Sequence, residues 1–171
     1  MNERSGLVTL RGQPVTLVGT EIKVGDKAPG FEVVGNDLKP VSFSSYMGKV
    51  CIISSVPSLD TPICEASTKR FNEEAAGLGV DVAILTVSMD LPFAQRRWCL
   101  ANAVKEVETL SDHKDASFGT SYGLLMKELR LLARAVLVVD RAGTVKYYEL
   151  VKEIGDEPDY DAALEAAKRI L

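Results

Sequence analysis

An α/β fold, with a central mixed sheet flanked by helices, is what this 171-residue sequence predicts. Three observations carry the prediction. An apolar strand run at 50–56 is followed by a helical run at 65–77 and a second strand at 80–87. A strand–helix–strand unit makes its two strands parallel, with a right-handed crossover. Further on, residues 135–139 and 145–151 read as an antiparallel hairpin that turns at Asp140-Arg141-Ala142-Gly143. A closing helix starts at Pro158-Asp159-Tyr160 and turns Leu164, Ala167 and Ile170 inward.

The elements follow in order. Val8-Thr9-Leu10 and Val15-Thr16-Leu17-Val18 flank Arg11-Gly12-Gln13-Pro14. β-Branched flanks around a Gly and Pro turn give a small hairpin, expected only to cover one end of the core. A loop over 24–30 leads to two short strands, 31–34 and 41–43, around Gly35-Asn36-Asp37. The run Val50-Cys51-Ile52-Ile53-Ser54-Ser55-Val56 is mostly apolar, as a central strand covered on both faces is. Cys51 within it reads as a buried core cysteine. The next helix puts Phe71 and Ala75 on one face and Lys69 and Glu73 on another, and Gly77 and Gly79 end it. Asp90 is placed to cap a helix that begins at Pro92, with Cys99 two turns in. Residues 107–111 form a strand, 112–115 a polar loop that leaves His113 in solvent, and 118–122 a helical turn. The stretch 123–132 carries Leu124, Leu125, Leu129, Leu131 and Leu132, which suits a core wall or a subunit contact. This order is thioredoxin-like, with the first hairpin as an N-terminal extension. No linker, repeat or low-complexity tract divides it, so residues 1–171 are expected to form one domain.

One stretch carries chemistry. Pro57-Ser58-Leu59-Asp60-Thr61-Pro62-Ile63-Cys64 joins the strand at 50–56 to the helix that follows. Thr61 is a good N-cap, and Pro62 suits the first helical position, where a missing N–H costs nothing. Cys64 then falls in the first turn, among backbone N–H groups without an intrahelical partner. Those donors and the positive end of the helix dipole favour a thiolate over a thiol, which is what a nucleophilic sulfur needs.

With Pro57, Thr61 and Cys64 in the pattern P-x-x-x-T-x-x-C, the stretch resembles the peroxidatic loop of peroxiredoxins. Asp90-Leu91-Pro92-Phe93-Ala94-Gln95-Arg96-Arg97-Trp98-Cys99 resembles the resolving-cysteine helix of their thiol peroxidase subfamily, the atypical two-cysteine peroxiredoxins. Ala133-Arg134-Ala135, ahead of Val136-Leu137-Val138-Val139, resembles the family's active-site arginine and its strand. The resemblance runs nearly end to end. It implies an enzyme that reduces hydrogen peroxide and organic hydroperoxides to water and alcohols. Cys64 is then the attacking thiolate, with Arg134 beside it to hold both sulfur and peroxide oxygens. Thr61 has two candidate jobs, capping the helix or pointing its hydroxyl at the peroxide, and Pro57 shapes the loop and shields the sulfur. The resulting sulfenic acid would be resolved by Cys99 as an intramolecular disulfide, then reduced by thioredoxin. The resemblance also implies a homodimer and calls for no metal, flavin or haem. A thioredoxin-fold redox sensor using the same cysteine pair is the alternative.

Geometry adds a demand. Bridged cysteines need Cα atoms within about 7 Å of one another. Two helices that start at the ends of neighbouring strands do not meet it, so forming the bridge is expected to unwind the first turn around Cys64 and part of the Cys99 helix.

The totals exclude other classes. A net charge of −4, from 20 basic and 24 acidic side chains, gives no basic footprint for nucleic acid. Three cysteines are too few for a disulfide scaffold, and one histidine with no Cys-x-x-Cys leaves little for a zinc site. Residues 1–30 lack an apolar run fit for a signal peptide or a membrane span, so the expected location is the cytoplasm.

Overall fold

A computed structural model describes all residues, Met1–Leu171. Its main sheet has seven strands in the order β11-β10-β5-β6-β7-β3-β4. At its centre, β5 (Val50–Ser55) runs parallel to β6 (Val82–Ser88), which runs parallel to β7 (Val107–Ser111). On the other side β5 pairs antiparallel with β10 (Ala135–Val139), and β10 with β11 (Val145–Leu150). Every residue of β5 is buried, which is why its sequence is apolar without alternation. The short pair β3 (Glu32–Val34) and β4 (Pro40–Ser42) closes the far edge, followed by a 3-10 turn at Phe43–Tyr46.

Helix α1 (Pro62–Ala75) makes the crossover from β5 to β6, and α2 (Pro92–Ala101) the crossover from β6 to β7. Both share an apolar layer with α4 (Tyr160–Arg169) on one face of the sheet. Phe71 of α1, Ile52 and Val138 of the sheet, and Ala163 and Leu164 of α4 form its centre, with Trp98 and Cys99 packed at its margin.

The opposite face is covered by a second, four-stranded sheet in the order β1-β2-β8-β9. Here β1 (Glu3–Leu10) and β2 (Gln13–Val18) form the expected N-terminal hairpin. Its turn is Arg11-Gly12, both at positive φ (51° and 77°), and Pro14 lies in the strand opposite Thr9 rather than in the turn. The apolar stretch at 123–132 supplies β8 (Leu125–Met126) and β9 (Leu131–Leu132). Leu124, Met126 and Leu132 are fully buried with Leu17, Leu137 and Phe118, so the stretch is a core wall. A short helix, α3 (Ser117–Ser121), precedes it. His113 is half-buried rather than solvated, its Nδ1 at 2.8 Å from Ser111 Oγ. No helix is long and apolar enough to cross a membrane.

Candidate active site

The site is built where β5 leaves the sheet. Val56 still donates to the Val87 carbonyl, but buried Pro57 has no N–H to offer and releases the chain from the ladder. Thr61 is then the N-cap of α1 and Pro62 its first residue, as the sequence dictates. The Cys64 N–H donates to Thr61 Oγ1 at 3.4 Å, and that hydroxyl donates to the Ser58 carbonyl at 3.1 Å. Of the two jobs expected for Thr61, its hydroxyl performs the capping one here, with its single proton committed to Ser58.

Cys64 is fully buried in a small cluster with Val56 and Leu59, against which Trp98 of α2 packs. Arg134, itself only 3% exposed, approaches from just before β10. Its Nη1 donates to Cys64 Sγ at 3.2 Å and its Nε to the Ile154 carbonyl at 2.9 Å. Arg134 takes part in none of the molecule's salt bridges. A buried guanidinium without a counter-charge is costly, and the Cys64 sulfur is the ionisable group bonded to this one. Nearby, the Tyr160 hydroxyl lies 2.8 Å from Ser67 Oγ, and burial raises its pKa, keeping the phenol neutral.

The position of Arg134 depends on a distant part of the chain. Ile154 N–H donates to the Thr9 carbonyl at 2.9 Å, and Thr9 N–H to the Lys152 carbonyl at 2.7 Å. The Glu153 carboxylate accepts from Thr9 Oγ1 (2.6 Å) and from the backbone N–H groups of Arg11 (2.9 Å) and Gly12 (3.2 Å). The Thr9 hydroxyl first, and then those backbone donors, lower the pKa of Glu153 and keep it ionised. The N-terminal hairpin therefore does more than cover the core: it fixes the segment whose carbonyl holds Arg134.

Cys99 lies outside this cluster. Its Sγ is 3.3 Å from Thr109 Oγ1, which donates to Asn36 Oδ1 at 3.2 Å. All three cysteines are free thiols. The structure thus brings Thr61, Cys64 and Arg134 together, with buried Pro57 leading into their loop, and leaves Cys99 in a different apolar cluster, bonded to Thr109. Asp90 is also placed differently from the sequence expectation. The N-cap of α2 is Leu91, with no side-chain cap, and the Asp90 carboxylate turns to the Cys64 loop instead. It accepts from Ser58 Oγ at 2.7 Å and from the Leu59 N–H at 2.8 Å. Between this loop and α2 lies a groove of about 560 Å³, lined by Leu59, Asp60, Phe93, Arg97 and Trp98 among others. No three His, Cys, Asp or Glu side chains gather as a metal site would require.

Comparison with known proteins places this geometry. The redoxin family model matches residues 23–164. A thiol peroxidase of Listeria monocytogenes is 57% identical over 162 residues, covering 95% of this chain and 98% of that protein. A thiol peroxidase of Bacillus subtilis is 56% identical over 164 residues, 96% and 98% of the two chains. The chain belongs to the redoxin family, in its thiol peroxidase branch. A crystal structure of a peroxiredoxin-like protein from Aquifex aeolicus superposes with a TM-score of 0.91 at 44% identity, covering 98% of both chains. The thiol peroxidase of Chromobacterium violaceum shares the fold alone, with a TM-score of 0.83 at 19% identity over 95% of both chains. The chain is therefore a peroxiredoxin enzyme with a thioredoxin-like fold, as its motifs led one to expect.

Proposed function

We propose that the chain reduces hydrogen peroxide and organic hydroperoxides to water and alcohols with Cys64 as nucleophile, Cys99 as resolving residue and thioredoxin as reductant. The observation that carries this reading is the 3.2 Å contact between Arg134 Nη1 and Cys64 Sγ, made by a buried guanidinium with no carboxylate on it. A thiolate there supplies the missing negative charge.

In the first step the Cys64 thiolate attacks one peroxide oxygen and the O–O bond breaks. Sulfur is oxidised to a sulfenic acid, and the other oxygen leaves as alkoxide or hydroxide and takes up a proton. Arg134 presents a rigid fork of donors, so the same guanidinium can hold the sulfur and the oxygen on which charge develops. Thr61 positions the sulfur by capping its turn and offers a hydroxyl to the peroxide when the loop shifts. Pro57, buried beside them, fixes the chain direction into the loop.

In the second step Cys99 attacks the Cys64 sulfur. The sulfenic hydroxyl leaves as water, and a Cys64–Cys99 disulfide forms. Cys64 and Cys99 are held by different neighbours, Arg134 and Thr109, which supports the view that the helix turns around them open first. An external dithiol then reduces the bridge. We also read the enzyme as cytoplasmic, where such a bridge is transient. Exposed Leu91, Phe93 and Leu100 on and beside α2 support a homodimer.

Titrating the reduced protein with peroxide and mapping its disulfides tests this reading. One equivalent is expected to give a Cys64–Cys99 bridge with Cys51 still free. A stable sulfenic acid at Cys64 without a bridge would remove Cys99 from the mechanism, and an unreactive Cys64 would overturn the reading.

A further inference from the structure

We infer that Asp90 is a positioning residue for the redox cycle: its carboxylate latches the first turn around Cys64 to the helix that carries Cys99, and the latch must release before the two sulfurs meet. This rests on the two-cysteine reading proposed above.

One continuous polar network supports it. From the Cys64 side, the Cys64 N–H donates to Thr61 Oγ1, and Thr61 Oγ1 donates to the Ser58 carbonyl. Ser58 Oγ in turn donates to Asp90 Oδ1 at 2.7 Å, while the Leu59 N–H donates to Asp90 Oδ2 at 2.8 Å. From the Cys99 side, Ser88 Oγ donates to Asp90 Oδ2 at 2.7 Å and accepts from Gln95 Nε2 at 3.0 Å. Gln95 is fully buried on α2, one turn before Cys99. The Asp90 backbone is fixed as well, since Ser111 Oγ donates to its carbonyl.

The carboxylate is therefore the node through which both helices hold each other. Bonds to an ionised acceptor are about twice as strong as neutral ones. While they stand, the Cys64 turn stays folded, its sulfur stays on Arg134, and Cys99 stays on Thr109. Asp90 thus favours the state that reacts with peroxide and opposes the state that closes the disulfide. In closure, the Cys99 sulfur attacks the Cys64 sulfenic sulfur, the S–S bond forms and water leaves. The latch sets how often the two sulfurs come within reach, and takes no part in the bond changes.

The test uses stopped-flow fluorescence of Trp98, the chain's single tryptophan, which packs against the Cys64 cluster. Reduced protein mixed with hydrogen peroxide is expected to show a phase that scales with peroxide and a later phase that does not, the second being disulfide closure. In Asp90→Ala the closure phase is expected to speed up by about tenfold, the equivalent of about 1.4 kcal/mol. The peroxide-dependent phase is expected to slow. Ser58→Ala, which removes one link and keeps the carboxylate, moves both phases the same way by a smaller factor, and covers the case in which Asp90→Ala does not fold. Mass spectrometry after excess peroxide supplies a second readout: faster closure lowers the fraction of Cys64 trapped as sulfinic acid. A merely structural role would slow both phases and raise that fraction. If the wild type shows both phases but closure in the folded variants is unchanged or slower, Asp90 is no latch. If the wild type shows no peroxide-dependent phase, or no Cys64–Cys99 bridge, the two-cysteine reading falls and takes the latch with it.

Discussion

Cys51 and Cys64 are both buried to within 1% of complete, yet their surroundings differ in kind. Cys51 sits inside β5, with its sulfur 3.9 Å from the Tyr46 carbonyl and 3.8 Å from the Lys49 carbonyl. Both neighbours are acceptors, so they suit an S–H and oppose an S⁻. Burial pushes its pKa up to about 11, with Lys49 offsetting only part of the effect. Cys64 lies one loop later on the same chain. Its sulfur meets a guanidinium donor at 3.2 Å, in the first turn of a helix whose start is capped by Thr61. Burial alone makes a cysteine inert. Burial beside a fixed guanidinium gives the Cys64 sulfur a charged donor where Cys51 has only carbonyl acceptors.

The largest expected effect comes from making Cys64 resemble Cys51. Arg134→Met leaves a buried sulfur with no cation, at similar side-chain volume. The second-order rate with hydrogen peroxide is expected to fall by roughly 10² to 10³, the loss typical of removing a preorganised transition-state donor. Arg134→Lys keeps a charge but not the fork that reaches Cys64 and the Ile154 carbonyl together, and is expected to fall between. An Arg134→Met protein as fast as wild type would show that the helix terminus suffices and that the contrast between the two cysteines does not rest on the guanidinium.

A smaller effect separates the two roles of Thr61. Thr61→Val removes the N-cap acceptor and should lower unfolding free energy by about 1 kcal/mol, as capping losses do. If capping were its whole contribution, peroxide reactivity at saturating stability would barely change. If the hydroxyl also reaches the peroxide, the rate drops further, to roughly 10²-fold below wild type. Denaturant melts and peroxide kinetics on the same preparation distinguish the cases.

The sequence made the sheet, the helices around it and the Cys64 turn legible because each rests on local signals. The apolar run of β5 and the Thr61-Pro62 start of α1 are written in consecutive residues. Arg134 was legible only by resemblance, since an arginine before a strand carries no sign of what it meets 70 residues away. Asp90 was visible but misread. An acidic residue before Leu-Pro has the form of a cap, and only the fold reveals that Ser58 and Leu59 offer it better donors. The role of the N-terminal hairpin was equally hidden, because Glu153 meets Arg11 and Gly12 across more than 140 positions. Long-range polar contacts of this kind leave no periodicity behind.

An effect that vanishes at neutral pH tests the inert cysteine directly, through the pH dependence of stability. Ordinary thiols in an unfolded chain ionise near pH 8.5, whereas folded Cys51 holds its proton to about 11. Between those values the unfolded state has released a proton that the folded state keeps, so stability falls as pH rises. Below about pH 8 the group contributes no slope. That difference in pKa corresponds to roughly 3 kcal/mol by the top of the window. Tyr148 is also pushed up, to about 12, by burial, and unfolded tyrosines ionise near 10, so other groups add to the decline at the upper end. Comparison with Cys51→Ala cancels them. The wild type and this variant should differ by a constant amount at pH 6 to 8, of about 1 kcal/mol for the missing sulfur. From about pH 8.5 the wild-type curve should fall faster, so that the two converge or cross before pH 11. Parallel curves throughout would mean that the β5 sulfur ionises as readily folded as unfolded, and that the carbonyls around it do not set it apart from Cys64.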